Sequence, residues 1–236
     1  LAIGDTVSIT KRGDVIPAVE EVVEKNNLGN KTYKLPRLCP CCGSELVSEG
    51  AHLFCPNYDC EEQVKGRIAY FAGRDQMDIE SLGPKTVEIL YKEGVLKSVE
   101  DIYSADYDQM IGKPGFGQKT VDNLKKGVKD SIARPYKTVL SSLGIAEIGG
   151  KSAEILASSG FDSISKLIAA ADKRDPSLFT SIKGLGESTA DILIKAFTDQ
   201  RLLETISKLS SHGLHLDAAL DSKDETEYQP IFSGQI

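Results

Sequence analysis

The segment KPGFGQKTVDNL, Lys113 to Leu124, is one of four segments of the chain that align with one another without gaps. The other three are IESLGPKTVEIL from Ile79, IAEIGGKSAEIL from Ile145 and IKGLGESTADIL from Ile182. All four share one glycine, at intervals of 32 to 37 residues: Gly83, Gly117, Gly149 and Gly186. A period of this length is typical of a repeated supersecondary unit.

Each segment has the residue pattern of a turn followed by an amphipathic helix. A hydrophobic residue precedes the shared glycine, Val or Ala follows it at the fourth position, and Leu follows at the seventh. Because proline is tolerated at the first position of a helix, Pro84 indicates that Gly83 is an N-cap. The fourth and seventh positions then form one buried stripe. With a helix before each turn, the pattern predicts four helix–turn–helix units, which we call the first to fourth hairpins.

A glycine turn at a helix start is suited to binding an oxyanion. Glycine lets the backbone come close to a ligand, and the first N–H groups of the helix carry a partial positive charge. Two residues after the shared glycine, Lys85, Lys119 and Lys151 would add a mobile positive charge, while the fourth hairpin has Ser188 there. We therefore expect these turns to bind DNA phosphates. A plain helix–helix turn is the alternative for any one glycine taken alone.

Positive charge is concentrated in one part of the chain. The net charge of −7 argues against a histone-like polycation but does not exclude local basic patches. The stretch from Lys119 to Lys137 holds six basic side chains against Asp122 and Asp130. We expect an anionic partner there, with a solvated helix face as the alternative.

The five cysteines lie together in CPCCGSELVSEGAHLFCPNYDC. Four of them form two pairs with zinc-ribbon spacing. Gly43 permits a tight turn directly after Cys42, which favours Cys42 over its neighbour Cys41 as a ligand. The predicted ligands are therefore Cys39, Cys42, Cys55 and Cys60. We predict a structural zinc site without an open position and without a catalytic role. The alternatives are two disulfides, which the odd number of cysteines disfavours, and His52 as a substitute ligand.

The sequence divides the whole chain into four predicted regions. Residues 1–38 alternate as strands do but are too few to bury a core alone. They are predicted to end a β domain, followed by a zinc finger at 39–62, an all-α domain at 63–218 and an acidic linker with the start of a strand at 219–236. The fold class is therefore multidomain α+β. No window is apolar enough to span a bilayer and no secretory signal is present, so we expect a soluble intracellular protein.

The hairpins resemble the helix-hairpin-helix motif, hydrophobic-x-Gly-hydrophobic-Gly, which binds the nucleic-acid backbone without reading bases. The second and fourth hairpins keep both glycines of the motif, Gly115 with Gly117 and Gly184 with Gly186. The first and third have Ser81 and Glu147 in place of the first glycine. A side chain in the turn implies that these two hairpins are partly architectural.

The whole chain resembles the C-terminal half of bacterial NAD-dependent DNA ligases. The match rests on IGDTVSITKRGDVIPAV, on CPCCGS with CPNYDC, on MDIESLG and on LGIAEIG, in that order. It implies that residues 1–38 end an oligonucleotide-binding (OB) β-barrel and that IFSGQI begins a truncated BRCT domain. It also implies a piece of a longer bacterial, cytoplasmic and nucleoid-associated protein.

The resemblance implies an enzyme that seals nicks in duplex DNA. Such a ligase transfers AMP from NAD through an active-site lysine to the 5′-phosphate, with Mg²⁺ assisting. The sequence has no Lys-x-Asp-Gly nucleophile motif, so no catalytic residue is assigned in this chain. We expect it to bind nicked double-stranded DNA as a monomer, with Lys11 and Arg12 as further phosphate contacts. For those two residues a solvated hairpin is the alternative.

A non-enzymatic binding module is the alternative function. Helix-hairpin-helix pairs also occur in Holliday-junction binding proteins and in excision-repair nuclease subunits. Those proteins lack the cysteine quartet and the RGDVIPAV strand upstream of it. A zinc-bearing recombination mediator, which would prefer branched or single-stranded DNA, is a second alternative.

Overall fold

A computed structural model describes residues 1–13, 16–26, 35–50 and 52–223 of the chain. The chain divides into two compact units, Leu1–Tyr58 and Asp59–Ile236, which are described separately. No helix in the described ranges is long and apolar enough to cross a membrane.

The described residues of the first unit form two small antiparallel sheets. Strands β1 (Thr6–Arg12) and β2 (Ile16–Glu24) pair with Ile9 opposite Val19, and β3 (Val47–Glu49) pairs with β4 (His52–Phe54). Ile9 is 63% exposed and Val19 is 50% exposed. This agrees with the expectation that these strands cannot bury a core by themselves. Whether they close an OB-type barrel stays a prediction.

The second unit is helical. Its described part contains ten α-helices: α1 (Glu61–Phe71), α2 (Pro84–Lys92), α3 (Asp101–Ser104), α4 (Gln118–Ser131), α5 (Tyr136–Ser142), α6 (Gly150–Ser158), α7 (Ile164–Ala171), α8 (Ser177–Thr180), α9 (Glu187–Phe197) and α10 (Gln200–Ser211). Two short 3₁₀ helices, Tyr107–Met110 and Ala218–Lys223, complete it.

The four shared glycines each cap a helix, as predicted. Helices α2, α4, α6 and α9 begin directly after Gly83, Gly117, Gly149 and Gly186, respectively, and every one of these glycines has extended backbone. The side chains at the fourth and seventh positions after the glycines are all buried: Val87, Leu90, Val121, Leu124, Ala153, Leu156, Ala190 and Leu193. The predicted stripe is therefore the inner face of each helix.

All four hairpin turns have the same backbone bend. Two residues before each shared glycine, the φ angle is positive: 66° at Ser81, 83° at Gly115, 63° at Glu147 and 102° at Gly184. A positive φ suits glycine and costs roughly 1–2 kcal/mol at another residue. Ser81 and Glu147 thus change which side chain the turn carries and leave its backbone shape intact.

Buried side chains in the described part of the second unit form two clusters. The first contains Leu90 and Leu124 from the first two hairpins, and the second contains Leu156 and Leu193 from the last two. Helix α10 contributes to both clusters, through residues on successive turns. The hairpins therefore share cores in pairs, first with second and third with fourth.

The first pair of hairpins is closely packed at one glycine. A Cβ atom added to Gly127, inside α4, would lie 2.8 Å from the backbone nitrogen of Glu80 and 2.9 Å from its carbonyl oxygen. Real Cβ atoms do not approach backbone atoms this closely. The helix of the second hairpin therefore lies directly on the backbone of the first hairpin's turn because residue 127 has no side chain.

The beginning of the predicted acidic linker is folded. Asp221 lies in the 3₁₀ helix Ala218–Lys223. The backbone N–H of Tyr136 donates to both of its carboxylate oxygens, each at 3.0 Å. The backbone N–H of Ala218 donates to the carbonyl of Asp162 at 2.7 Å. These contacts hold the segment on the last two hairpins, which corrects the prediction of a linker from residue 219. The rest of that prediction, including IFSGQI, lies outside the described residues.

The close approach at Gly127 predicts a clear stability difference between two helical glycines. Gly127→Ala forces α4 away from Glu80 and should lower the free energy of unfolding by about 1–3 kcal/mol. Gly66→Ala in α1 is the control, because a Cβ there meets nothing within 4 Å. It should raise that free energy by up to ~1 kcal/mol through helix propensity. Urea unfolding of both variants tests this, and equal effects would contradict the packing argument.

Candidate nucleic-acid interface and metal centre

The structure brings the four predicted metal ligands together. The Sγ atoms of Cys39, Cys42, Cys55 and Cys60 all lie within 4.8 Å of one another. None of the five cysteines forms a disulfide bond, so neither of the alternative disulfides is present. The group includes neither Cys41, which is exposed, nor His52, which lies in β4.

The first cysteine pair is held by a tight turn at Gly43. This residue has a φ of 73°, and its N–H donates to the carbonyl of Cys39 at 2.9 Å. The Oγ atom of Ser44 lies 3.3 Å from the Sγ atom of Cys42. Hydrogen bonds from the side chain and then the backbone of Ser44 lower the pKa of the Cys42 thiol to about 5. The turn therefore favours the thiolate, which is the form that binds a metal.

The spacing of the sulfurs fits a tetrahedral ion. Four sulfurs at the usual zinc–sulfur bond length are separated by about 3.8 Å. The Sγ atoms of Cys42 and Cys55 lie 3.5 Å apart. Four thiolates fill every position of a four-coordinate metal, so the donor set is that of a structural metal site.

The shared glycines of the hairpins face open space. These four glycines are Gly83, Gly117, Gly149 and Gly186. Their φ angles lie between −75° and −98°, a range that any residue adopts, and a Cβ atom added to any of them would meet nothing within 4 Å. Neither the backbone conformation nor internal packing therefore requires glycine at these four positions. Gly115 also has open space around it, whereas a Cβ at Gly184 would lie 3.3 Å from Ile155.

Three of the four hairpins have an exposed lysine at the position predicted to contact phosphate. Lys85, Lys119 and Lys151 each lie in the first turn of the helix after the glycine, and none forms a salt bridge within the described ranges. In the fourth hairpin this residue is Ser188, which is exposed, and its Oγ lies 3.3 Å from a carboxylate oxygen of Glu147. The first three helix starts are therefore electropositive, and the fourth has a carboxylate beside it.

Half of the basic stretch from 119 to 137 is neutralised. Its salt bridges are Lys125 with Asp108 at 2.7 Å, Arg134 with Asp78 at 2.7 Å and Lys137 with Glu154 at 3.8 Å. Lys119, Lys126 and Lys129 are exposed and have no such partner in the part of the chain described. Counting charges along the sequence overestimates the local positive charge because the three acidic partners lie outside the stretch.

The two predicted contacts in the first unit lie at the end of β1. Lys11 is exposed, and its neighbour opposite in β2 is Pro17. The backbone of Arg12 pairs with Ile16, while its side chain is outside what the structure describes. Their role as phosphate contacts remains a prediction.

Comparison with known families identifies the helical region. A model of the SAM-like helix-hairpin-helix tandem matches residues 74–130 and 140–199. The first match spans the first two glycine turns and the second match spans the other two. The division agrees with the two clusters of buried side chains.

Among curated proteins, several DNA ligases are similar to this chain over most or all of its length. A DNA ligase of Leptospira interrogans is 37% identical over 240 residues, covering 100% of this chain and 34% of that protein. One from Borrelia duttonii is 39% identical over 92% of the chain and 32% of its own length, and one from Limosilactobacillus fermentum is 33% identical over 96% and 33%. The chain spans about a third of the length of these relatives.

The chain is therefore similar to about one third of a DNA ligase along its whole length, and its residues 74–130 and 140–199 match the SAM-like helix-hairpin-helix tandem.

Proposed function

We propose that the chain is the part of a DNA ligase that binds the sugar-phosphate backbone of nicked duplex DNA. The observation that carries this proposal is the open space at the four capping glycines. Glycine recurs at all four capping positions although neither the backbone conformation nor the internal packing requires it there. We therefore attribute the repeated glycine to a ligand that approaches the backbone from outside the protein. A phosphodiester placed against the glycine and the first N–H groups of the helix is such a ligand.

The same geometry makes the binding independent of base sequence. The groups available at each turn are backbone N–H donors and, in three hairpins, the ammonium group of Lys85, Lys119 or Lys151. These groups complement an oxyanion and carry no pattern that matches the edges of the bases. Affinity should therefore come from charge and from phosphate hydrogen bonds, and it should fall as salt is added.

Pairing of the hairpins supports contact with both strands of a duplex. Each pair shares one hydrophobic cluster, so its two helix starts are held at a fixed separation by packing. A rigid pair loses little conformational entropy on binding two phosphates. In this proposal Lys11 and Arg12 of the first unit would add further phosphate contacts.

The parent enzyme in this proposal seals nicks with NAD and Mg²⁺. The adenylating lysine belongs to a Lys-x-Asp-Gly motif, which this sequence does not contain. The proposed contribution of this chain is therefore to bind and position the DNA. The chain alone would neither take up AMP nor join DNA ends.

For the four-cysteine cluster we propose a structural zinc ion. A closed set of four thiolates is typical of zinc, and the 22-residue segment from Cys39 to Cys60 has two very short strands to hold it together. Metal binding would supply the folding free energy that this segment lacks. No step of the reaction is assigned to this ion.

The proposal predicts a difference between two lysines on the same helix. Lys119→Gln should lower the affinity for nicked duplex DNA and reduce the slope of log K against log salt by about 0.9, because one phosphate contact is lost. Lys125→Gln removes the same charge from α4, but Lys125 is already paired with Asp108. It should change the slope much less. Fluorescence anisotropy at several salt concentrations measures both.

Three DNA substrates complete that experiment. Nicked, intact and forked duplexes of the same length and sequence should all bind, with the nicked duplex at least as tightly as the others. Equal slopes for the two lysine variants would contradict the assignment of the hairpin as the phosphate contact. Clear preference for the forked duplex would favour a branched-DNA protein instead.

The metal proposal predicts a difference between neighbouring cysteines. Freshly purified protein should contain about one equivalent of zinc. Cys42→Ser should lose most of it, whereas Cys41→Ser should retain it because Cys41 is outside the cluster. Elemental analysis of the purified variants is the measurement. Wild-type protein without zinc would refute the assignment.

A further inference from the structure

The carboxylate of Glu147 lies at the start of a helix that belongs to a different hairpin. It accepts a hydrogen bond from the Thr189 hydroxyl at 2.8 Å and one from the Ser188 hydroxyl at 3.3 Å. Glu147 belongs to the third hairpin, and the two hydroxyl groups belong to the fourth, 41 and 42 positions along the chain. No neighbouring cation forms a salt bridge with this carboxylate within the described residues.

These contacts occupy the place where the proposed function puts a phosphate. Ser188 and Thr189 are the second and third residues of α9, whose N-cap is Gly186. In the other three hairpins the position of Ser188 is an exposed lysine. The fourth helix start thus has a fixed carboxylate where the other three have a mobile ammonium group.

One further acidic residue at this helix start strengthens the contrast. Glu187 is the first residue of α9 and is exposed, so a second carboxylate lies in the same helical turn. In α4, the first turn contains no acidic residue and includes Lys119. A carboxylate near a helix N-terminus is favourable for the helix, but it repels a second anion.

We propose that Glu147 suppresses phosphate binding at the fourth hairpin by supplying an internal anion there. This inference rests on the proposed DNA-binding function and specifies how the four hairpins share it. The first three helix starts bind phosphate, and the fourth binds it weakly because a phosphate must displace or approach a carboxylate. Glu147 is therefore a residue that sets affinity and does not itself contact DNA.

The backbone at Glu147 provides a precise way to remove this carboxylate. Its φ of 63° matches the bend that glycine adopts in the second and fourth hairpins, so Glu147→Gly is compatible with the turn. Ser81, with a φ of 66°, occupies the same position in the first hairpin. Ser81→Gly makes the same change of backbone freedom without removing a charge, which makes it the matched control.

The inference predicts tighter binding when the carboxylate is removed. Glu147→Gly and Glu147→Gln should each raise the affinity for duplex DNA roughly two- to fivefold at low salt, because one repulsive charge near a helix start is gone. In Glu147→Gly the slope of log K against log salt should also steepen, by up to about 0.9 for one added phosphate. Ser81→Gly should change neither quantity. Anisotropy titrations of the wild type and the three variants measure this.

The competing role for Glu147 is to fasten the third hairpin to the fourth. In that case both Glu147 variants would lower the unfolding temperature and bind DNA no more tightly than the wild type, and this result would overturn the inference. Wild-type protein that fails to bind duplex DNA at all would overturn the proposed function and the inference with it. Binding by the wild type without a gain in the Glu147 variants would overturn the inference alone.

Discussion

Burial of the fourth and seventh side chains after each shared glycine sets the orientation of all four hairpin helices. In the second hairpin these side chains are Val121 and Leu124, and neither is exposed to solvent. Once they are inside, the rotation of the helix about its axis is fixed, and so is the direction of its first N–H groups. The capping glycine then lies at the surface with open space around it. Core packing and the candidate phosphate site are thus two consequences of one residue pattern.

Local features of this fold could be predicted from the sequence because they depend on residues close together in the chain. The N-cap glycines, the buried stripe and the pairing of cysteines across a short loop all belong to this class. The strands near Ile9 were also predicted, since alternation is a local signal. The folded segment around Asp221 was missed because its partner, the backbone of Tyr136, lies 85 positions away and gives no local signal.

Charge was the least predictable property of the candidate site. The sequence suggested that a basic stretch and the hairpin turns would bind an anion, with the first and third turns partly architectural, whereas the structure pairs half of that stretch with carboxylates from other elements. It also places Glu147 beside the fourth helix. The sequence showed that this residue replaces a glycine, and its effect was expected in its own hairpin. The side chain of a glutamate is long enough to contact the turn of a neighbouring hairpin. Which helix it contacts therefore follows from the three-dimensional packing and not from the sequence.

The capping glycines and the helix starts after them are proposed to bind the DNA backbone. The most direct test is the change in backbone amide chemical shifts when a short duplex is added to isotopically labelled protein. The largest changes should fall on Lys85 and Thr86, since Pro84 has no amide hydrogen, and on the three residues after Gly117 and after Gly149, with smaller changes after Gly186. Changes confined to other surfaces, such as α10 or the sheet of β1 and β2, would contradict it.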